Sequence, residues 1–206
     1  MTAQTEVVPL AAPQVEAVGE VLRKAFYDNP GPRYVQPDDA KRALQLTWFM
    51  TRATRYGHVY GEVYTTAGKV EGAAIWLPPD DWEITPNRSK QVGLDELPSI
   101  IGAEAFDRSS SMANHWELLH KRDVAPRHWY LWLLGVNPPR QGQGVGSALI
   151  RPILVRADAE GLPCYLETAE PRNVPFYQRH SFEVVVEGDI PNGGPHFWTM
   201  KREPVR

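Results

Sequence analysis

The stretch Gln141-Gly142-Gln143-Gly144-Val145-Gly146 could hold a ligand through its backbone. It joins an apolar run, HWYLWLLGV, to a helical pattern that starts at Ser147. Glycines let a backbone approach a ligand closely. The free N–H groups of a helix start, helped by the helix dipole, favour an anion. This composition predicts a phosphate or pyrophosphate over Gly142–Ser147. The bland alternative is a tight strand–helix connection that binds nothing. Two common phosphate motifs do not apply: no Gly-Lys-Ser/Thr is present, and the glycines are spaced G-x-G-x-G rather than G-x-G-x-x-G.

A second candidate is Glu167, in the short strand pattern PCYLETA. Alternation puts Tyr165, Glu167 and Ala169 on one face and Cys164, Leu166 and Thr168 on the other. A carboxylate in a buried strand needs a partner or a purpose. An ion pair with Arg140 or Arg172 is one reading. Further on, Asn173, Phe176 and Tyr177 fall at i, i+3 and i+4, so they share a helix face. On residue type alone, Tyr177 is a packing aromatic. Cys164 has no histidine beside it and reads as a small core residue. The six histidines show no metal-ligand spacing, and no metal site is expected.

The elements that position these residues can be read from periodicity. Val15, Val18, Leu22 and Phe26 form the stripe of a helix over Pro13–Phe26. YDNPGPRYVQPDD reads as a loop by its prolines and glycine. A second helix is expected over Asp39–Tyr56, then strands near His58–Thr66 and Val70–Leu77 joined by a turn at Ala67-Gly68. Residues 80–126 are polar, with weak helical periodicity around Ser99–Phe106 and Met112–Leu119. They read as an insertion of short helices over one face. The apolar run before the glycines suits a strand buried on both faces. SALIRPILVRADAEG is a helix packed on a sheet, kinked at Pro152. EPRNVPFYQRHS turns into a helix. FEVVVEGDI and HFWTMKR are strands flanking the turn PNGGP. Alternating strands and helices ending in a strand pair give an α/β layered architecture.

The chain has 206 residues, a net charge of −3 and 42% apolar residues, which suits one globular domain with its own core. The expected division is an N-terminal part (1–79), the helical insertion (80–126) and a ligand-binding core (127–206). No basic block exists, so a nucleic-acid partner is not expected. The single cysteine excludes an internal disulfide and fits a reducing compartment, so a cytoplasmic location is expected. No signal peptide or membrane span is read.

The run PPRQGQGVGSALI resembles the glycine motif of the GNAT superfamily of acetyl-CoA-dependent N-acyltransferases, with Gln141, Gly144 and Gly146 at the motif positions. ETAEPRNVPFYQRHSF is similar to the family's second signature through Asn173, Phe176, Tyr177 and Phe182, with Ser181 where that signature carries glycine. Within the superfamily the resemblance is greatest to puromycin N-acetyltransferase-like members. It implies a mixed, mostly antiparallel sheet with a central splayed parallel strand pair, flanked by helices. It also implies acetyl-CoA as co-substrate and a small-molecule amine as acceptor.

The resemblance further implies roles for residues. Backbone groups of Leu134, Gly135 and Val136 would hold the pantetheine arm. The amides of Gln141, Gly142, Gln143, Gly144, Val145, Gly146 and Ser147 would hold the pyrophosphate, with Arg140, Asn173 and Phe176 beside them. Tyr177 becomes the general acid, because a phenol of pKa roughly 10 can donate to a departing thiolate whose acid has pKa roughly 8.5. Glu167 becomes the candidate base for the attacking amine, with a structural ion pair as the alternative. The first loop, with Tyr27, Asp28, Asn29, Arg33 and Tyr34, would cover the acceptor side, together with Trp48, Phe49 and Trp198. Other readings are a protein or peptide amine acetyltransferase and a non-catalytic acyl-CoA sensor. Exposed edges of the terminal strand pair would allow a homodimer.

Overall fold

The computed structural model describes residues 5–205. Seven strands form one sheet in the order β1-β2-β3-β4-β5-β7-β6. They are β1 (Val7–Pro9), β2 (Glu62–Thr66), β3 (Gly72–Leu77), β4 (Trp129–Val136), β5 (Cys164–Thr168), β6 (Glu183–Asp189) and β7 (His196–Arg202). Every neighbouring pair is antiparallel except β4–β5. That parallel pair matches only Trp129 with Cys164 and Tyr130 with Tyr165. Beyond these two rungs the strands have no register with each other, and the sheet opens between them.

Two helical layers cover the sheet. On one face lie α1 (Val15–Phe26) and α3 (Asp39–Tyr60), packed on Ala73, Ile75 and Leu133. On the other lies α7 (Val145–Glu160), whose Val145, Leu149, Ile150 and Ile153 meet Trp76, Leu131 and Leu166. The first layer sits close to the strands because a glycine faces them: a Cβ on Gly57 would lie 2.3 Å from Ile75 Cγ2. Pro152 lies within α7, which runs on through it.

A register shift against β3 falls between Trp76, opposite Leu131, and Ile75, opposite Leu133, so Trp132 is an extra residue in β4. Such a bulge turns the strand's faces over. Before it, Trp129 and Leu131 face α7; after it, Leu134 and Val136 do, while Leu133 joins the α1–α3 layer. β4 is therefore not uniformly buried: buried residues alternate with half-buried ones along its length.

Several sequence expectations need correction. The proline-rich segment read as a loop contains a helix, α2 (Pro30–Val35), with the Asn29 side chain accepting from the Gly31 amide. Proline is tolerated in a first helical turn because that N–H has no acceptor in any case. Helix α3 continues to Tyr60, so the strand after it starts only at Glu62. Val7–Pro9 adds an unforeseen edge strand. In the insertion, α4 (Pro86–Val92) and α5 (Leu97–Ile101) are short, but α6 (Ala103–Asp123) is one helix of 21 residues. The expected helix at Ser99–Phe106 is interrupted by Gly102, whose φ of +80° suits glycine alone. Helix α8 (Asn173–Gln178) follows β5.

Filling the Gly57 position should be destabilising although alanine favours helices. Gly57→Ala is expected to lose about 1–3 kcal/mol, read as a lower midpoint in urea unfolding followed by circular dichroism.

Candidate functional site

The glycine turn stands at the end of the opened sheet. A short helical turn, Pro138–Arg140, leads into Gln141, and α7 begins at Val145. Gly142 and Gly144 have φ of +73° and +82°, so a side chain at either would be strained. Residues 141–144 are exposed. Helix geometry leaves the amides of Val145, Gly146 and Ser147 without an intrahelical acceptor, and the first capping bond runs from the Ala148 amide to the Gly144 carbonyl. Gly146 is needed for space: a Cβ there would lie 3.3 Å from Phe176 Cζ. Together these make a cradle of open amides, with the helix dipole behind it, fit for a pyrophosphate.

The strand opening continues this cradle. From Leu131 onward, β4 pairs with β3 on one edge and with no strand on the other. Leu134, Gly135 and Val136 lie along that free edge. The Val136 carbonyl accepts from the Gln141 side chain at 3.0 Å, so that side chain braces the turn. Gln143 donates to the Pro139 carbonyl. Ser147 Oγ lies 2.9 Å from His180 Nε2. Asn173 Nδ2 donates to Thr168 Oγ1 at 3.3 Å, tying α8 to the end of β5. Arg140 is exposed.

Tyr177 packs on the α7 side with Leu149, Leu166 and Phe182. It is buried, and burial raises its phenol pKa well above the usual value, so it keeps its proton. Its hydroxyl donates to no acceptor among the described residues.

Glu167 faces the other side of β5. The expected ion pairs with Arg140 or Arg172 do not form. Arg172 pairs with Glu170, at 2.9 Å. Glu167 instead accepts from the Tyr130 hydroxyl at 2.8 Å, and its Oε1 lies 3.4 Å from His120 Nδ1. His120 Nε2 lies 2.6 Å from His128 Nε2, and His128 Nδ1 lies 2.6 Å from the Ala125 carbonyl. The His120 ring is stacked between Trp82, at 4.0 Å, and Tyr165, at 4.2 Å. Burial pushes the Glu167 carboxyl up to about 8, against the lowering effect of the Tyr130 hydrogen bond. Burial likewise lowers the pKa of both histidines, so both are neutral near pH 7.

His120, His128, Trp82 and Tyr130 were not singled out from sequence. Trp82 and His120 belong to the insertion, and the two histidines are eight residues apart without a motif. Only the return of α6 over β4 and β5 brings them to Glu167. Beside this cluster stands an aromatic wall. Trp132 meets Phe49 at 6.4 Å and Tyr56 at 5.6 Å, both edge-on.

The other acceptor-side candidates divide. Tyr34 bonds the Asn192 carbonyl at 3.5 Å, linking α2 to the β6–β7 turn. Arg33 is near Asp28, at 3.9 Å. Tyr27 donates to the Asp39 carbonyl and lies under Arg42, a bracing role. Trp48 is half-buried near Arg52 and packs on the cluster of Tyr56, Leu77, Val92 and Leu94, which Trp82 and Tyr130 also join. Trp198 packs on the α7 side of the sheet, on the face opposite Glu167. Cys164 is a buried core residue whose thiol is pushed up to about 12 by burial.

The profile of the Acetyltransferase (GNAT) family matches residues 111–182. An uncharacterised N-acetyltransferase of Schizosaccharomyces pombe is 30% identical over 189 residues, covering 84% of this chain and 74% of that protein. The chain belongs to the GNAT acetyltransferase family. It is an acyltransferase, and enzymes of the GNAT family use acetyl-CoA as co-substrate. The fold agrees. A histone acetyltransferase HPA2 and related acetyltransferase of Corynebacterium glutamicum superposes with TM-score 0.69 at 22% identity, covering 98% of this chain and 97% of that one. An arylalkylamine N-acetyltransferase 2 of Aedes aegypti superposes with TM-score 0.65 at 14% identity, covering 97% and 99%. Among the described residues, no helix is long and apolar enough to cross a membrane.

The buried Glu167 should be visible in stability. Its folded pKa lies above its ordinary value of 4.5, so the folded state holds a proton the unfolded state has lost. Its contribution is complete below about 4.5 and declines as pH rises through about 8. Glu167→Gln should flatten that decline, measured by urea unfolding across this range.

Proposed function

We propose that this GNAT enzyme acetylates the primary amine of a small, flat molecule by direct attack on acetyl-CoA, with Glu167 as base and Tyr177 as acid. The observation that carries this reading is their placement on opposite faces of β5, beside the one place where the sheet is open. Acetyl-CoA supplies the thioester. The open amides of Gly142–Ser147, with Arg140 at their edge, hold its pyrophosphate. The free edge of β4 at Leu134–Val136 holds the pantetheine arm, with Asn173 and Phe176 on the far side.

The acceptor then enters from the α3–α6 face. An alkyl ammonium, with pKa about 10, must lose a proton to attack. The ionised Glu167 carboxylate takes it. On the α7 face, the protonated Tyr177 hydroxyl, which has no acceptor of its own, donates to the departing sulfur. Phe49, Tyr56 and Trp132 suit a flat acceptor, and an aminonucleoside of the puromycin type is one such molecule. Tyr34 and the α1–α2 connection roof this side. The insertion encloses Glu167, which favours a small amine over a protein chain.

Free-thiol release from acetyl-CoA tests the reading, with puromycin, arylalkylamines, polyamines and lysine peptides as acceptors. Release is expected with aromatic amines. Tyr177→Phe should lower kcat by about 100-fold while leaving acetyl-CoA affinity unchanged. Unchanged turnover removes Tyr177 from the mechanism. In the wild type, kcat/KM should rise with pH through about 8, because only the ionised Glu167 accepts a proton. Glu167→Gln should lose that limb.

A further inference from the structure

The hydrogen bonds from Ala125 through His128 to His120, the 3.4 Å contact of His120 with Glu167 and the hydrogen bond from Tyr130 leave only one consistent arrangement of protons. The Ala125 carbonyl can only accept, so His128 must donate from Nδ1. A neutral His128 then carries its lone pair on Nε2. His120 Nε2 lies 2.6 Å from that lone pair and must therefore donate to it. A neutral His120 is left with a lone pair on Nδ1, which faces Glu167 Oε1. At the far end, Tyr130 donates to Glu167 Oε2, and burial keeps the Tyr130 phenol protonated. The acid proton of Glu167 is thus placed on Oε1, the oxygen that Tyr130 leaves free and that lies 3.4 Å from the bare His120 Nδ1. The stacked rings of Trp82 and Tyr165 confine the His120 imidazole on both faces.

We propose that His128 and the Ala125 carbonyl lock His120 in its Nε2–H tautomer, so that His120 acts as a positioning residue whose bare Nδ1 biases Glu167 toward its protonated form. This rests on Glu167 as base, and extends it by giving the insertion a chemical task. In the opposite tautomer His120 would donate from Nδ1 to the carboxylate and stabilise the ionised form. The lock prevents this and favours the protonated acid.

The charged groups nearby are paired with one another. On α6, Lys121 pairs with Glu117 and with Glu83 from the segment before α4, and Arg122 pairs with Asp123. On β7, Lys201 pairs with Glu203. Tyr130 on β4 and Tyr165 on β5 are the remaining titratable neighbours, and burial raises both phenols. None of these supplies an unpaired charge to Glu167, which leaves the tautomer of His120 to adjust a carboxyl that burial has already raised.

The test is the pH profile of kcat/KM, with Glu167→Gln as reference. His128→Phe frees His120 to change tautomer, and the limb near 8 should move down by about one unit. His128→Gln can accept from His120 and donate to Ala125, and should restore the wild-type profile. A purely structural role would lower kcat at every pH without moving the limb. An unmoved limb in His128→Phe overturns the proposal, provided Glu167→Gln has lost it. A limb retained in Glu167→Gln overturns the assignment of the base instead. Nitrogen-15 NMR of histidine-labelled wild type gives a second readout that needs no variant. A protonated Nε2 and bare Nδ1 on His120 are expected, and the reverse overturns the lock.

Discussion

β4 and β5 are held together at two residue pairs and then part. The rest of the molecule depends on this divergence. Parallel strands that stayed in register would satisfy each other's amides and carbonyls and leave no room for a ligand. Here the free edges of both strands border a gap in the sheet. The bulge at Trp132 and the separate partners, β3 for β4 and β7 for β5, hold each strand in place without the other. The two helical layers can then differ in purpose. The α7 side carries the glycine cradle and Tyr177, and the α3–α6 side carries Glu167 and the aromatic wall.

Burial does the chemical tuning. A glutamate at the surface would be ionised and solvated at neutral pH and a poor match for an ammonium. Covered by α6, with one hydrogen bond from a phenol and a neutral imidazole 3.4 Å away, Glu167 has its carboxyl pushed up to about 8, in the range the proposed base requires. The cover belongs to a part of the chain that looks polar and featureless. Its polarity belongs to its outer surface. On the inner side, Leu119 meets Ile190 and Phe197, and His120 enters the sheet face.

Some of the structure was legible because its signals are local. The open amides and positive φ angles of the glycine turn follow from residues within one turn of each other. Alternation along β5 correctly separated Glu167 from Leu166. The stripe of α1 and the two terminal strands need only near neighbours to be read. The errors arose where a local rule has two outcomes. Prolines at 30 and 32 break a helix interior but start a helix equally well, and the chain took the second course. The polar periodicity of α6 is weak because only a narrow stripe is buried, so one long helix read as two short pieces.

The sequence alone determined the order of elements from β4 to β7, the position of the glycine turn with its open amides and the presence of one carboxylate inside a buried strand, since each depends on covalent neighbours and period. Only the tertiary structure decided what surrounds that carboxylate. His120, His128, Trp82 and Tyr130 reach Glu167 across 37 to 85 positions of chain by packing of one helix over two strands. Trp198 was separated from Glu167 by the same packing, because the sheet face a residue occupies is settled by which layers meet. Residue type could propose a base and an acid. Their placement on opposite faces of one strand, at the gap between two, is a property of the assembled sheet.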